Sequence, residues 1–165
     1  MTAEPGGFTE WYLAAHRRVL AALIAYGGDY EEASDATDEA FARAFARWER
    51  VSVMASPEGW AFVVARNALR RSVRRRSRER SVAVTSAATE AARDASSPGL
   101  AAIELAGVLA VLSERQREVV VLHHGLDLAQ ETVASLLGIS RSTVATTLLD
   151  ARVALGVTTK GGARA

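Results

Sequence analysis

Apolar residues recur at helical spacing along most of this chain. Phe8, Trp11, Tyr12, Ala15, Val19, Ala22, Leu23 and Tyr26 mark one face of a first helix, and Gly27 and Gly28 then stop it. Asp29 is placed to cap a second helix that runs to about Trp48 through Ala33, Ala36, Ala40, Phe41, Ala44 and Phe45. The first turns of that helix are acidic, which suits the positive end of a helix dipole. "ERVSVMASPEG" breaks the period and predicts a loop. Ser56 ahead of Pro57 and Glu58 predicts the start of a third helix reaching about Arg80. Its first half carries Trp60, Val63, Val64, Asn67 and Ala68, whereas its second half is mostly arginine and has little to bury.

From Ser81 to Pro98 the residues are small and polar, with no sustained apolar stripe, as expected of a flexible linker. Four short helices follow. "LAAIELAGVLAVL" is the first. Ser113 with Gln116 forms a capping-box pattern ahead of the second, "ERQREVVVLHH", which Gly125 ends. Asp127 with Gln130 repeats that pattern before "ETVASLLG", and the last helix follows Ser140. No internal repeat is visible. The expected architecture is all-α: two small helical domains, 1–80 and 101–157, joined by a linker at 81–100, with a disordered tail at 158–165.

The third and fourth of these C-terminal helices meet through "LLGIS". Ala134 is small enough for the two helices to approach closely, Gly138 frees the backbone for a tight turn, and Val144 fills the space between them. Val133, Leu137, Ile139 and Leu148 complete that core. The joint spacing is that of a helix-turn-helix, whose second helix enters the major groove of DNA. On the outer face of that helix stand Arg141, Ser142, Ala145, Thr146, Leu149 and Arg152. Serine and threonine can bond bases or phosphates, and alanine and leucine can touch thymine methyls. Only the arginines attract phosphate, so this half alone should hold DNA poorly. A helical hairpin kept for packing is the competing reading.

Charge sharpens this picture. The net charge is only +1, yet six acidic residues lie between Asp29 and Glu39 and eight arginines between Arg66 and Arg80. Two opposed patches imply two different contact surfaces. Arg66, Arg70 and Arg74 fall along one helical line, and Arg71, Arg75 and Arg78 along another. Repulsion between them would be relieved by a polyanion. Trp48, Trp60 and Phe62 can offer a stacking surface to unpaired bases or serve as core. Asp35, Asp38 and Glu39 lie on one side of the acidic helix and would suit a basic protein surface.

Other classes find little support. The chain has no cysteine, which rules out disulfides and thiolate metal sites. His123 and His124 are adjacent and point to different faces, and His16 is remote in sequence. No glycine-rich phosphate loop or nucleophile motif occurs, so neither catalysis nor a cofactor is expected. The N-terminus lacks the basic start and apolar core of a signal peptide. No apolar run approaches the ~20 residues that span a bilayer. A cytoplasmic protein without membrane insertion is expected.

With these residues in view, the chain resembles a bacterial RNA polymerase sigma factor of the small, two-domain extracytoplasmic-function type. "ASDATDEAFARAFARWERV" looks like the polymerase-binding helix of that family. "SPEGWAFVVARNALRRSVRRR" looks like its promoter-melting helix, and "LSERQREVVVLHHGLDLAQETVASLLGISRSTV" like the domain that reads the distal promoter element. The resemblance implies that core RNA polymerase and promoter DNA are partners, and that an anti-sigma factor is a further one. It implies polymerase contacts at Asp38 and Glu39, beside Asp35. It implies contacts to the proximal element from Asn67, Arg70, Arg71 and Arg74, with Trp60 and Arg75 on the same helix. Val51 to Ser56 match the segment that pockets a base flipped from the melted strand. In the helix-turn-helix the implied DNA contacts are Arg141, Ser142, Thr143, Thr146 and Arg152.

The chain departs from the family pattern in two places. Three positions that are ordinarily basic in the second helix of the motif are Ala145, Thr147 and Asp150 here. Thr37 and Asp38 stand where an apolar residue and a glutamine are usual. The expectation is therefore a weak distal reader held in place by the polymerase, since tethering substitutes effective concentration for affinity. A stand-alone helix-turn-helix regulator and a degenerate interaction module are the alternatives.

Overall fold

The computed structural model describes residues 6–27, 29–80 and 98–157, and among them every regular element is helical. Residues 81–97 of the linker expected at 81–100, the tail at 158–165 and the proposed stop at Gly28 lie outside the described residues.

α1 (Phe8–Gly27), α2 (Tyr30–Ala46) and α4 (Pro57–Arg80) pack around one another, with a single helical turn, α3 (Trp48–Val51), between the last two. The Asp29 side chain accepts the Glu32 N–H at 2.9 Å, which is the expected cap of α2. Ser56 Oγ accepts the Gly59 N–H at 3.0 Å at the start of α4. The segment expected as a loop from Glu49 is helical through Val51. The reason is packing: Arg47 leaves the helical conformation, and one further turn points both Trp48 and Val51 inward beside Phe8 and Trp11. Trp11 stacks on Phe41 with centroids 4.7 Å apart, and Trp48 donates its ring N–H to Gly6 O at 2.8 Å. Trp48 and Phe62 are therefore core residues, and the stacking surface proposed for them reduces to the half-buried Trp60.

α5 (Pro98–Leu109) begins three residues before the expected boundary, so 98–100 are helix rather than linker. α6 (Glu114–Val120) has the full capping box, with Gln116 N–H on Ser113 Oγ and Ser113 N–H on Gln116 Oε1. One π turn, Val121–Gly125, continues it. α7 (Gln130–Leu137) and α8 (Arg141–Ala154) form the helix-turn-helix. The capping box expected from Asp127 and Gln130 is absent. The wide turn carries Asp127 into the left-handed region at φ 54°, and Ala129 takes the cap position with no side-chain bond.

In the α7–α8 joint, Val133 and Val144 are fully buried, Ala134 lies between the helices and Gly138 adopts φ 64°. A β-branched side chain is strained there. Gly138→Val is expected to cost about 1–2 kcal/mol, read as a lower thermal midpoint for the circular-dichroism signal, whereas Gly138→Asn should be milder.

The two halves are not separate globules. α5 lies along α1, α7 touches the start of α4, and buried side chains from both halves form one continuous core. Gly59 permits the second contact: a Cβ there would lie 2.4 Å from Leu136 Cδ1 and 2.9 Å from Ser56 Oγ. Among the described residues no single helix is long and apolar enough to cross a membrane, and no His, Asp and Glu group could hold a metal ion.

Candidate nucleic-acid interface

The helix α4 carries six of the sequence-derived site residues. Trp60 and Asn67 are two turns apart, and Asn67, Arg70, Arg71 and Arg74 follow at the spacing of one helix face. Asn67, Arg71, Arg74 and Arg75 are exposed; Trp60 and Arg70 are half-buried. Four of the six residues expected to meet DNA thus stand on the outward side of the helix. The individual cations differ in their engagement, however. Arg71 pairs with Glu39 of α2 at 3.2 Å, and Arg76 pairs with Glu32 at 2.9 Å. Arg74 and Arg75 make no ion pair among the described residues. They remain available as positive charge.

Arg70 is the most heavily engaged. Its Nε donates to Glu114 Oε1 at 2.6 Å and its NH2 to Glu118 Oε1 at 2.7 Å, both across to α6. Glu118 is only 1 % exposed, and it also accepts from Arg66 NH1 at 2.6 Å and from Arg115 NH1 at 3.1 Å. Arg66 is itself buried and donates its NH2 to Asn67 Oδ1 at 3.0 Å. Tyr26, from α1, completes the cluster by donating its hydroxyl to Glu114 Oε1 at 2.6 Å, with the Arg117 guanidinium 5.6 Å from its ring centre. Three helices from both halves therefore converge on two carboxylates.

The protonation behaviour follows from that convergence. Burial and the bond to Glu114 push the Tyr26 hydroxyl up to about 12. The Tyr26 hydrogen bond holds the Glu114 carboxyl below its ordinary range against a smaller effect of burial, with Arg70 adding to the shift. Burial lowers Arg66 against the opposing charge of Glu118. Burial also acts to lower Arg70, but its bonds to Tyr26 and Glu114 and the charge of Glu118 more than offset this. A depressed Glu114 contributes stability above its unfolded value that is lost as pH falls through the folded one. A raised Tyr26 contributes below its unfolded value and loses that contribution as pH climbs toward about 12. The cluster is hence intact across the neutral range.

On α8 the residues Arg141, Ser142, Thr143, Thr146 and Arg152 are all exposed. Ser140 Oγ caps the helix by accepting the Thr143 N–H at 3.0 Å, and it also bonds the hydroxyls of Ser142 and Thr143 at 2.9 and 2.8 Å. Those two hydroxyls are therefore partly committed to the helix start. Arg141 pairs with Glu131 across the turn at 2.9 Å, an exposed contact of the kind worth little. His124 is held below its ordinary value by burial, His123 and Arg152, and it faces an apolar groove between α1 and α5.

The polymerase candidates Asp35, Asp38 and Glu39 are exposed on α2. Asp38 meets His16 at 2.9 Å, and Glu39 meets Arg43 at 2.5 Å as well as Arg71. The structure thus joins one polymerase candidate to one DNA candidate, but it keeps the α8 set apart from both. Sequence reading missed the Tyr26, Arg66, Glu114 and Glu118 cluster. A signal was present: Glu118 lies three and four residues before Val121 and Leu122, on the buried side of its own helix.

Known proteins place this geometry. Residues 11–79 match the sigma-70 region 2 family, and residues 102–155 match the sigma-70 region 4 family. The chain belongs to the sigma-70 family and has the two-region arrangement of the extracytoplasmic-function sigma factors. Sigma factors with these regions bind core RNA polymerase and promoter DNA to initiate transcription, and they are not enzymes. Three solved structures share the fold. The sigma factor RpoE of Bartonella quintana, in complex with the anti-sigma factor NepR, is 20% identical with a TM-score of 0.69 over 91% of this chain and 94% of that one. CnrH, in complex with the cytosolic domain of CnrY, is 20% identical with a TM-score of 0.63 over 91% and 85%. The extracytoplasmic function sigma factor SigJ of Mycobacterium tuberculosis is 23% identical with a TM-score of 0.58, over 89% of this chain and 52% of that one. No curated protein sequence matches the chain at a significant level.

Proposed function

We propose the following division of labour within this sigma factor. The N-terminal domain, 1–80, binds core polymerase through Asp35, Asp38 and Glu39 of α2. It reads and melts the proximal promoter element through Trp60, Asn67, Arg70, Arg71, Arg74 and Arg75 of α4. The segment from Val51 to Ser56 takes the flipped base, and the exposed Val53 and Met54 give it an apolar lip. The C-terminal domain, 101–157, reads the distal element through Arg141, Ser142, Thr143, Thr146 and Arg152 of α8. The place of action is the cytoplasm, and an anti-sigma factor, the kind of partner on which RpoE was solved, is the regulator.

The observation that carries this reading is the outward face of α4. Asn67, Arg71, Arg74 and Arg75 are exposed on one side of the helix, while the apolar side of the same helix anchors it in the core. Polymerase binding is tested by co-elution. Asp38→Arg with Glu39→Arg is expected to weaken association with core polymerase about tenfold or more, because like charges replace attraction at the contact. Unchanged co-elution would remove α2 from the polymerase interface.

The weak distal reader is tested by adding charge. Ala145 is exposed on α8, and Ala145→Lys is expected to raise affinity for distal-element DNA a few-fold and to steepen its salt dependence by roughly 0.9 in log–log slope per phosphate gained. A slope equal to that of the parent would mean that this face points away from DNA.

A further inference from the structure

We propose that the cleft where the end of α1, the middle of α4 and the start of α6 meet is a binding site for a small phosphorylated ligand with an aromatic body, of the class of the nucleoside diphosphates.

The cleft has a volume of about 450 Å³, which lies in the range of ligand pockets. Its wall has a cationic side and an apolar side. Arg70, Arg74 and Arg117 bring three guanidiniums to it against a single carboxylate, that of Glu114. The charge of Glu114 is already met, since it accepts from Arg70 Nε and from the Tyr26 hydroxyl, each at 2.6 Å. Arg74 and Arg117 form no ion pair among the described residues. Arg117 is set apart from its neighbours by this: Arg66, Arg70 and Arg115 each meet Glu118, whereas Arg117 meets no carboxylate and its Nε is buried without a hydrogen-bond partner. Its guanidinium is held over the Tyr26 ring, 5.6 Å from the centre, so its place is set before a ligand arrives. Two guanidiniums from different helices with their charge unspent suit a diphosphate, which each can engage through charge-assisted bonds.

The apolar side decides what carries the phosphates. Leu69 is buried and Val73 is half-exposed on the same wall. A planar base laid against them removes apolar surface from water, a gain that free phosphate lacks. The hydroxyls of a sugar phosphate would face these two side chains without partners.

The test is calorimetric titration of the full chain, without DNA, by ADP, GDP, adenosine and inorganic pyrophosphate. One of the two nucleotides is expected to bind about tenfold or more tightly than adenosine or pyrophosphate. Arg74→Gln and Arg117→Gln are each expected to weaken that nucleotide about tenfold, as loss of one charge-assisted bond does. Arg75 is an exposed neighbour of Arg74 that does not line the cleft, and Arg75→Gln should change affinity by no more than about twofold. Val73→Glu places a negative charge on the apolar wall at a half-exposed position and should abolish binding. Should Arg117→Gln lose helical signal, Val73→Glu decides in its place. No binding of either nucleotide at millimolar concentration overturns the site. An equal loss in Arg75→Gln assigns the binding to diffuse positive charge and overturns it as well. Pyrophosphate binding as tightly as the nucleotides overturns the aromatic body.

Discussion

A chain carrying Arg70→Ala and Arg74→Ala is expected to bind core RNA polymerase as the parent does and to fail at promoter opening. Each arginine that meets a base or phosphate is worth ~1–3 kcal/mol, so losing two lowers open-complex formation about a hundredfold or more. The structure adds an opposing effect. Arg70→Ala also removes two of the bonds that tie α6 to α4, which favours exposure of the helix. The loss prevails, because uncovering a surface gains nothing once its donors are gone. Permanganate footprinting of the melted strand checks this, alongside co-elution with core polymerase. Melting at the parental level would withdraw the DNA role from α4.

Glu118→Ala is expected to uncouple the two halves. Arg70 and Arg115 can turn toward solvent when the carboxylate disappears, but the Arg66 side chain is only 10% exposed and cannot. Breaking a buried pair from one side costs ~3–5 kcal/mol. The three tryptophans, Trp11, Trp48 and Trp60, all belong to the N-terminal half, so their fluorescence reports chiefly on that half while the helical signal follows both. In the parent the two urea curves should coincide, as one cooperative unit requires. In Glu118→Ala the helical signal should fall first, with its midpoint lower by about 1 M or more for a typical urea dependence. Arg66→Met combined with Glu118→Leu should bring the curves back together, since an apolar pair can replace a buried ionic one. Coincident curves in Glu118→Ala would show that the seam carries no coupling.

Local signals made much of this fold legible. Asp29, Ser56, Ser113 and Ser140 each cap a helix through bonds spanning three residues, and such bonds depend on little beyond the adjacent sequence. Ala134, Gly138 and Val144 likewise set the helix-turn-helix by spacing alone. The errors arose where tertiary packing decided the outcome. Trp48 and Val51 draw a turn of helix out of a stretch without periodicity, because Phe8 and Trp11, some forty residues earlier in the chain, offer them a pocket. The π turn at Val121–Gly125 shifts the frame that a capping box at Asp127 would have needed.

The same reason hid the docking of the two halves. A run of arginines reads as a solvated, DNA-seeking surface unless the carboxylates that meet it are known, and Glu118 lies 52 residues from Arg66. Helical spacing was enough to put the α8 candidates and Asn67, Arg71, Arg74 and Arg75 of α4 on outer faces, but not to show that Trp60 and Arg70 are half-buried. Which of the α4 cations were already engaged depended on where α2 and α6 pack, and one sequence does not reveal that.

The central claim is that this chain turns core polymerase into a promoter-selective enzyme through the outward face of α4. It is tested most directly by mapping the 5′ ends of transcripts made by purified core polymerase on genomic DNA of the source organism, with and without the chain. The account predicts start sites that need the chain, share a proximal element and vanish with Arg70→Ala and Arg74→Ala. Start sites unaffected by the chain, although it co-elutes with the polymerase, would contradict it.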